Sequence, residues 1–205
     1  MRGKPMKAVI ADIPQHLLDQ RRRIGADQGD EIWDGVLHMP PSTNRDHQDL
    51  EALLETWLRQ HWAQPGGNKV YHQINVAPVD GWPDKNYRIP DLVLLTPDRF
   101  AIDRNEYFEG APTVVVEIHS PGDEAYEKLP FYASLGVPEV WIIDRDTRRP
   151  EVHVLHGGQY VRQSPADSGW IRSAATGVEL RGTGTRKITL RMAGDERTSQ
   201  SLPED

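Results

Sequence analysis

Two short runs rich in β-branched residues, at 113–118 and 139–144, constrain the fold of this chain more than any other feature. The first run places apolar residues on both faces of a strand, which predicts a central strand that is covered on each side. A helical segment that ends at Gly136 separates the two runs. Strand, helix and strand in this order predict a parallel pair with a right-handed crossover.

Two starts are possible for that helix. Ser120-Pro121-Gly122-Asp123 has the form of a helix start, but Pro130 would interrupt a helix that began there. The helix therefore either kinks at Pro130 or begins near Leu129.

The chain before residue 113 alternates short helices and strands. Asp34-Gly35 separates two β-prone stretches and is typical of a tight hairpin, because both residues tolerate positive φ. An apolar stripe with helical spacing predicts a helix that ends near Trp62. A shorter helix is expected from Ile13-Pro14 to Arg23, and strands are expected at 69–79 and 87–95. The stripe consists of Leu50, Leu53, Leu54, Trp57 and Leu58, and its possible N-caps are Ser42, Thr43, Asn44 and Asp46.

Short β-prone stretches after residue 151 predict a β-rich C-terminal part. Residues 192–205 have few apolar side chains, so we expect a loose tail there. Because no linker divides the rest, residues 1–191 are expected to form a single domain. The predicted fold class is α/β.

Composition excludes several classes of protein. The 205 residues include no cysteine, which excludes disulfides, thiolate metal sites and cysteine nucleophiles. No apolar run approaches the roughly 18 residues of a membrane helix, and the start lacks the core of a secretory signal, so we expect a cytoplasmic protein without membrane contact. The net charge of −7 argues against tight non-specific binding to DNA. The densest basic run, Arg21 to Arg23, is expected to be a solvated helix face.

Two acidic residues occupy positions where an unpaired charge would be costly. Asp91 follows Pro90 at the start of an apolar strand, and Glu117 ends the most hydrophobic run. A hard cation such as Mg²⁺ or Mn²⁺ would compensate both carboxylates. Lys128, eleven residues after Glu117, could place its ammonium at the same strand end. Such a site suits phosphodiester hydrolysis, in which the metal polarises the phosphoryl oxygens and the ammonium orients water or offsets charge.

The same residues carry a resemblance to a known family. The pattern resembles the Uma-two family of restriction-endonuclease-like proteins, a branch of the PD-(D/E)xK nuclease superfamily, over roughly residues 29–161. The order of several weak motifs, rather than any single one, makes the resemblance specific. These motifs are Glu31-Ile32-Trp33-Asp34-Gly35, Met39-Pro40-Pro41, His47, Pro90-Asp91, 116–121, Lys128, Tyr132, 136–141 and Asp144.

The resemblance implies a restriction-endonuclease-like core, with a mixed central β-sheet flanked by helices, and a metal-dependent nuclease activity. Asp91 and Glu117 would be metal ligands for Mg²⁺ or Mn²⁺, with Glu31 as a weaker third carboxylate, and Lys128 would be the catalytic lysine. The lysine that the superfamily usually carries two residues after the acid is here His119, so Lys128 must supply it. The substrate would be nucleic acid, with DNA favoured over RNA. A homodimer is expected by analogy, because two sites cut two strands symmetrically.

Structural explanations stay open for each of these residues. Asp91 could cap a turn, Glu117 could pair with an arginine such as Arg88, and Lys128 could lie on a helix surface. His119 shares a strand face with Glu117 and is either a donor to the site or an ordinary strand histidine. His47 is more typical of a helix start than of a ligand.

Two other functions also stay open. The first is a non-catalytic interaction or regulatory module that keeps a nuclease-like fold, which the net charge of −7 and the histidine at position 119 would suit. The second is a phosphoesterase for a small nucleotide, which would need no basic groove.

Overall fold

The computed structural model describes residues 8–10, 14–25, 27–40 and 43–203. Three residues used in the predictions lie outside these ranges: Ile13 at the start of the first helix, Pro41 of the Met39-Pro40-Pro41 motif, and the possible N-cap Ser42. The elements in chain order are β1 (Ala8–Ile10), α1 (Gln15–Ile24), β2 (Glu31–Trp33), β3 (Val36–Met39), α2 (Arg45–Leu58), α3 (Gln64–Gly66), β4 (Lys69–His72), β5 (Asn75–Ala77), β6 (Leu92–Leu95), β7 (Tyr107–Glu109), β8 (Val114–His119), α4 (Leu129–Leu135), β9 (Glu139–Asp144), β10 (Pro150–His156), β11 (Gln159–Arg162), β12 (Ile171–Arg172), β13 (Val178–Gly182), β14 (Ile188–Met192) and β15 (Asp195–Leu202). A π-helical turn, Arg59–Ala63, joins α2 to α3, and a 3₁₀ helix, Pro97–Ile102, follows β6.

A mixed six-stranded sheet forms the centre of the molecule, with the strand order β11-β10-β9-β8-β6-β4. Strands β8 and β9 pair in parallel, from Val114 opposite Glu139 to His119 opposite Asp144, as the sequence predicts. The other neighbours in this sheet are antiparallel. The expected mixed α/β fold is confirmed.

Both faces of β8 are covered, because helices lie on opposite sides of the central sheet. Val114, Val116 and Ile118 belong to the apolar cluster that includes the stripe of α2. Val115 packs instead with Phe131 and other residues of and around α4. The alternation of strand side chains explains why one strand serves two cores.

Helix ends follow the local signals. Asn44 caps α2, since its Oδ1 accepts a hydrogen bond from His47 N at 3.0 Å. The helix continues through the π-helical turn to Gly67, which adopts a left-handed conformation with φ 64°. Helix α4 begins at Leu129, with Pro130 in its first turn, where proline costs no hydrogen bond. The second of the two possible starts is therefore the observed one.

The N-terminal part contains the predicted hairpin. Strands β2 and β3 are antiparallel, and Asp34 and Gly35 between them have φ 49° and 83°, as expected for this turn. The predicted single strand at 69–79 is wrong, because Gln73 has φ 46° and the chain divides there into β4 and β5. Strand β5 pairs in parallel with β7, outside the central sheet.

The C-terminal strands form a second antiparallel sheet in the order β12-β13-β14-β15. The expectation of a loose tail is wrong for residues 195–202, which form β15 and pair with β14. Backbone hydrogen bonds hold this polar strand regardless of its side chains, and Leu202 adds a buried anchor at 1% exposure. Trp57 of α2 also donates a hydrogen bond to Thr198 O at 3.0 Å. Within the described residues, no helix has the length and apolar character needed to cross a membrane.

Candidate active site

Asp91 lies where β6 meets β8, directly before β6 begins. The antiparallel register pairs Leu92 with Val116, so Asp91 comes next to residues 117 and 118. Its Oδ2 accepts a hydrogen bond from Ile118 N at 2.6 Å, and its Oδ1 lies 2.8 Å from His47 Nε2. The carboxylate is thus fixed by a strand on one side and by helix α2 on the other.

Lys128, Glu117 and Glu31 form a buried ion network beside Asp91. Lys128 Nζ lies 2.8 Å from Glu31 Oε1 and 3.1 Å from Glu117 Oε2. It also donates a hydrogen bond to Ile89 O at 3.3 Å. The loop before α4 therefore does bring Lys128 to the end of β8, eleven residues after Glu117.

Every carboxylate oxygen in this network accepts a hydrogen bond or forms an ion pair. Tyr132, which lies on α4, donates its hydroxyl to Glu117 Oε1 at 2.6 Å. Glu31 Oε2 accepts from Trp33 Nε1 at 2.7 Å, and Glu31 Oε1 also accepts from Ile89 N at 2.8 Å. Two acids are therefore matched by one ammonium and by neutral donors.

Burial and neighbouring charges together set the pKa values of Glu117 and Lys128. It raises the pKa of Glu117 to about 8, and the nearby charge of Lys128 only partly opposes this shift. Burial by itself would lower the pKa of Lys128, but the charges of Glu117 and Glu31 outweigh it and raise that pKa above its usual range. The ammonium stays protonated at neutral pH.

A second cluster, His47, Glu51 and Asp91, lies on the α2 side of Asp91. One potential ligand atom from each residue lies within 4.8 Å of the others. His47 and Glu51 are one helical turn apart on α2, so their side chains share a face. Two carboxylates and an imidazole are ligands that divalent cations accept in proteins.

Glu51 is the least satisfied residue of this cluster. Its Oε2 accepts a hydrogen bond from Gln73 Nε2 at 3.0 Å, but its buried Oε1 accepts none among the described residues. His72 Nδ1 lies 3.6 Å from that oxygen, beyond hydrogen-bonding distance. Burial and the charge of Asp91 raise the pKa of Glu51. The donor set fits a cation, which would satisfy the free oxygen.

The pKa of His47 is also shifted upward. Burial alone would lower it, but the hydrogen bond to Asp91 and the charges of Asp91 and Glu51 outweigh burial. The two carboxylates thus favour the protonated form of His47.

Glu51 is the site residue that the sequence reasoning missed. The signal was its spacing from His47, because positions i and i+4 of a helix lie side by side. The apolar stripe of α2 hid that signal, since Glu51 lies next to Leu50 and is itself only 5% exposed.

His119 and Arg88 have their hydrogen-bond partners outside the Lys128 network. His119 Nδ1 lies 2.7 Å from Asp123 Oδ1, and Asp123 also accepts hydrogen bonds from the backbone of Ser120 and Ala125. His119 therefore contacts the loop before α4. Arg88 does not form an ion pair with Glu117 in the described part of the chain. Its guanidinium lies 4.1 Å from the ring centroids of both Trp33 and Phe131, and Nη1 donates to Ile32 O, Tyr87 O and Asn86 Oδ1.

A mixed sheet with acidic side chains and one lysine gathered at the end of its central strands defines a nuclease-like class of α/β protein. The model of the Uma2 (Uma-two) family, described as "putative restriction endonuclease", matches residues 16–184. The chain belongs to this family.

A solved structure has the same fold. It is described as a putative nuclease belonging to DUF820 from Anabaena variabilis ATCC 29413. The similarity covers 73% of this chain and 84% of the other, with a TM-score of 0.59 and 14% sequence identity. No curated protein matches this chain.

Proposed function

We propose that this protein is a metal-dependent nuclease that hydrolyses phosphodiester bonds in nucleic acid, with DNA as the expected substrate. The observation that carries the proposal is the cluster of His47, Glu51 and Asp91, in which a buried carboxylate oxygen accepts no hydrogen bond among the described residues. Family membership and the nuclease-like fold support the same reaction class. A phosphate oxygen of the substrate can complete the coordination of a cation that carboxylates hold.

Asp91 is the proposed central ligand for Mg²⁺ or Mn²⁺, with His47 and Glu51 beside it. The imidazole nitrogen favours a transition-metal ion such as Mn²⁺ over Mg²⁺. Glu117 and Glu31, which the sequence suggested as metal ligands, are proposed instead to hold Lys128. Their oxygens already accept hydrogen bonds from Lys128 and neutral donors, so a metal would have to displace or share them.

The bound metal would polarise a phosphoryl oxygen and lower the pKa of a bound water. The chain's own groups set the electrostatics around that step. Because its pKa is raised, Lys128 acts as a fixed positive charge rather than as a base, and it offsets charge that develops on the phosphate or orients the attacking water. Asp91 is held by Ile118 N and therefore keeps its orientation without the substrate.

Cleavage of plasmid and linear duplex DNA, with Mn²⁺, Mg²⁺ or a chelator, tests this function. We expect metal-dependent cleavage by the wild type and a loss of about 10²- to 10³-fold in Asp91→Asn. Asp98→Asn is the matched control, because Asp98 is an exposed aspartate paired with its neighbour Arg99. Absence of metal-dependent cleavage, or full activity of Asp91→Asn, would refute the proposal.

The alternative is a non-catalytic module with a nuclease-like fold. The observation that favours it is the full neutralisation of Lys128 by Glu31 and Glu117. Calorimetric titration with Mn²⁺ separates the two functions. Equal Mn²⁺ binding by the wild type and by Glu51→Gln, together with no cleavage, would support the module.

A further inference from the structure

Arg148 is a buried arginine that forms no ion pair with a carboxylate in the described part of the chain. It is 8% exposed and lies in the turn between β9 and β10. Among the described residues, its two terminal nitrogens make only long hydrogen bonds to Asp46 O, at 3.3 and 3.4 Å, and Nε has no hydrogen-bond partner. Buried charges are normally paired, so this arrangement is costly for a residue that serves packing alone.

Two further arginines approach Arg148. Arg186 donates from Nε to Asp146 O at 3.0 Å and is exposed, while Arg145 pairs with Asp146 Oδ1 at 2.8 Å. Burial lowers the pKa of Arg148, and the charges of Arg186 and Arg145 lower it further, against the opposing charges of Asp46 and Asp146. Arg145, Arg148 and Arg186 thus lie together near Asp46 and Asp146, in a chain whose net charge is −7.

This turn lies next to the candidate metal site. Asp46, whose carbonyl Arg148 contacts, directly precedes the metal-ligand candidate His47 on α2. On its other side, Arg145 N donates a hydrogen bond to His119 O at the end of β8 at 2.9 Å. An anion bound at the turn would therefore be a near neighbour of a phosphate bound at the site.

We propose that Arg148 and Arg186, with Arg145 beside them, bind a backbone phosphate of the nucleic acid strand next to the phosphate that is cleaved. The proposal rests on the nuclease function proposed above and names the surface that holds its substrate. Arginine suits this task because its planar fork binds phosphate with two parallel hydrogen bonds. Contacts of this kind position the strand without reading its sequence.

Binding of a fluorescent DNA duplex over a range of salt concentrations, with Ca²⁺ in place of Mg²⁺ or Mn²⁺, tests the proposal. Each phosphate contact contributes about 0.9 to the slope of log affinity against log salt concentration. We expect Arg186→Gln to bind duplexes of different sequence more weakly and to reduce the slope by about one unit. Arg148→Lys, which keeps the charge but removes the fork, should weaken binding. Arg197→Gln is the control, because Arg197 is 89% exposed and paired with Asp195 on β15.

Arg186 is exposed, so its variant tests the site even if Arg148→Lys does not fold. A wild-type slope and affinity in Arg186→Gln would overturn the inference, as would failure of the wild type to bind DNA. If the wild type binds DNA and Arg186→Gln shows the expected loss, but the wild type does not cleave DNA with any of the metal ions, the arginine site would be retained and the nuclease function refuted. If the wild type cleaves DNA but its arginine variants bind DNA normally, the nuclease function would be retained and the arginine site refuted.

Discussion

The two sides of Asp91 differ in how their charges are balanced. On the α4 side, Glu117 and Glu31 share Lys128, and each carboxylate oxygen accepts a hydrogen bond or an ion pair. On the α2 side, Glu51 is just as buried but has an oxygen with no hydrogen bond among the described residues. The first arrangement is complete within the protein, whereas the second leaves a buried carboxylate oxygen that could bind a cation.

This difference distinguishes acids that hold Lys128 in place from acids that could bind a metal. Both sides contain buried acids, so burial alone does not identify a metal site. A carboxylate that already shares an ammonium gains little from a metal, while one with a free oxygen gains both charge neutralisation and a ligand bond. The following substitutions test whether the two sides behave as differently as their contacts suggest.

The largest effect is expected from Lys128→Met. The substitution removes the ammonium that Glu31 and Glu117 share, which leaves the charge of Glu31 buried without a counter-charge and both carboxyl groups without a donor, so the free energy of unfolding should fall by about 3 to 5 kcal/mol at neutral pH. Denaturant unfolding without metal measures this change. Lys69→Met, at an exposed position on β4, should cost far less, and adding Glu31→Gln to Lys128→Met should restore part of the loss. Equal losses of stability in Lys69→Met and Lys128→Met would contradict the stabilising role proposed for the Lys128 network.

Glu51→Gln tests the other side. Wild-type protein should gain about 2.7 kcal/mol of stability at a Mn²⁺ concentration 100 times its dissociation constant, and the variant should lose most of this gain. Without metal the variant should be more stable than the wild type, because it buries no carboxylate charge. Glu55→Gln, one turn further along α2, is the control. Thermal unfolding with and without Mn²⁺ measures both effects; a Mn²⁺-dependent shift retained in Glu51→Gln would contradict the assignment.

Tyr132→Phe removes a neutral hydrogen-bond donor from the α4 side of Asp91. Its hydroxyl donates to a buried carboxylate, so we expect a loss of about 1.5 to 3 kcal/mol. Tyr160→Phe is the matched control, because Tyr160 donates to the uncharged Val137 O at 2.7 Å and should cost about 1 kcal/mol. Denaturant unfolding of both variants gives the comparison. If Tyr132→Phe cost no more than Tyr160→Phe, the hydroxyl would not be stabilising Glu117.

The last prediction concerns pH. The folded protein holds a proton on Glu117 up to about pH 8, while the ordinary pKa is 4.5. Between these values the folded state binds more protons than the unfolded state, so this group lowers stability as pH rises, by at most about 1.4 kcal/mol per pH unit. Glu117→Gln should remove that contribution. Metal-free unfolding curves of both proteins across this range should converge toward low pH; parallel curves would contradict the raised pKa.

Local signals predicted much of the fold. The β-branched run at 113–118, the apolar stripe of α2 and the Asp34-Gly35 turn each depend on neighbouring residues alone, and the observed elements follow them. The polar strand β15 was missed because its hydrogen bonds come from β14, which side-chain composition does not report. The division at Gln73 was missed for a similar reason, since β5 pairs with β7 from a later part of the chain.

By itself the sequence determined the central strands and singled out Asp91 and Glu117, because charged residues at the ends of apolar runs are conspicuous along the chain. Lys128 followed from its spacing after Glu117, and Glu31 from the resemblance to the family. The tertiary structure decided how these charges are partnered. It matched Lys128 with Glu31 and Glu117 and placed His47 and Glu51 of α2 against Asp91. Pairing of charges depends on distances between side chains that are far apart in sequence, and only the folded chain fixes those distances.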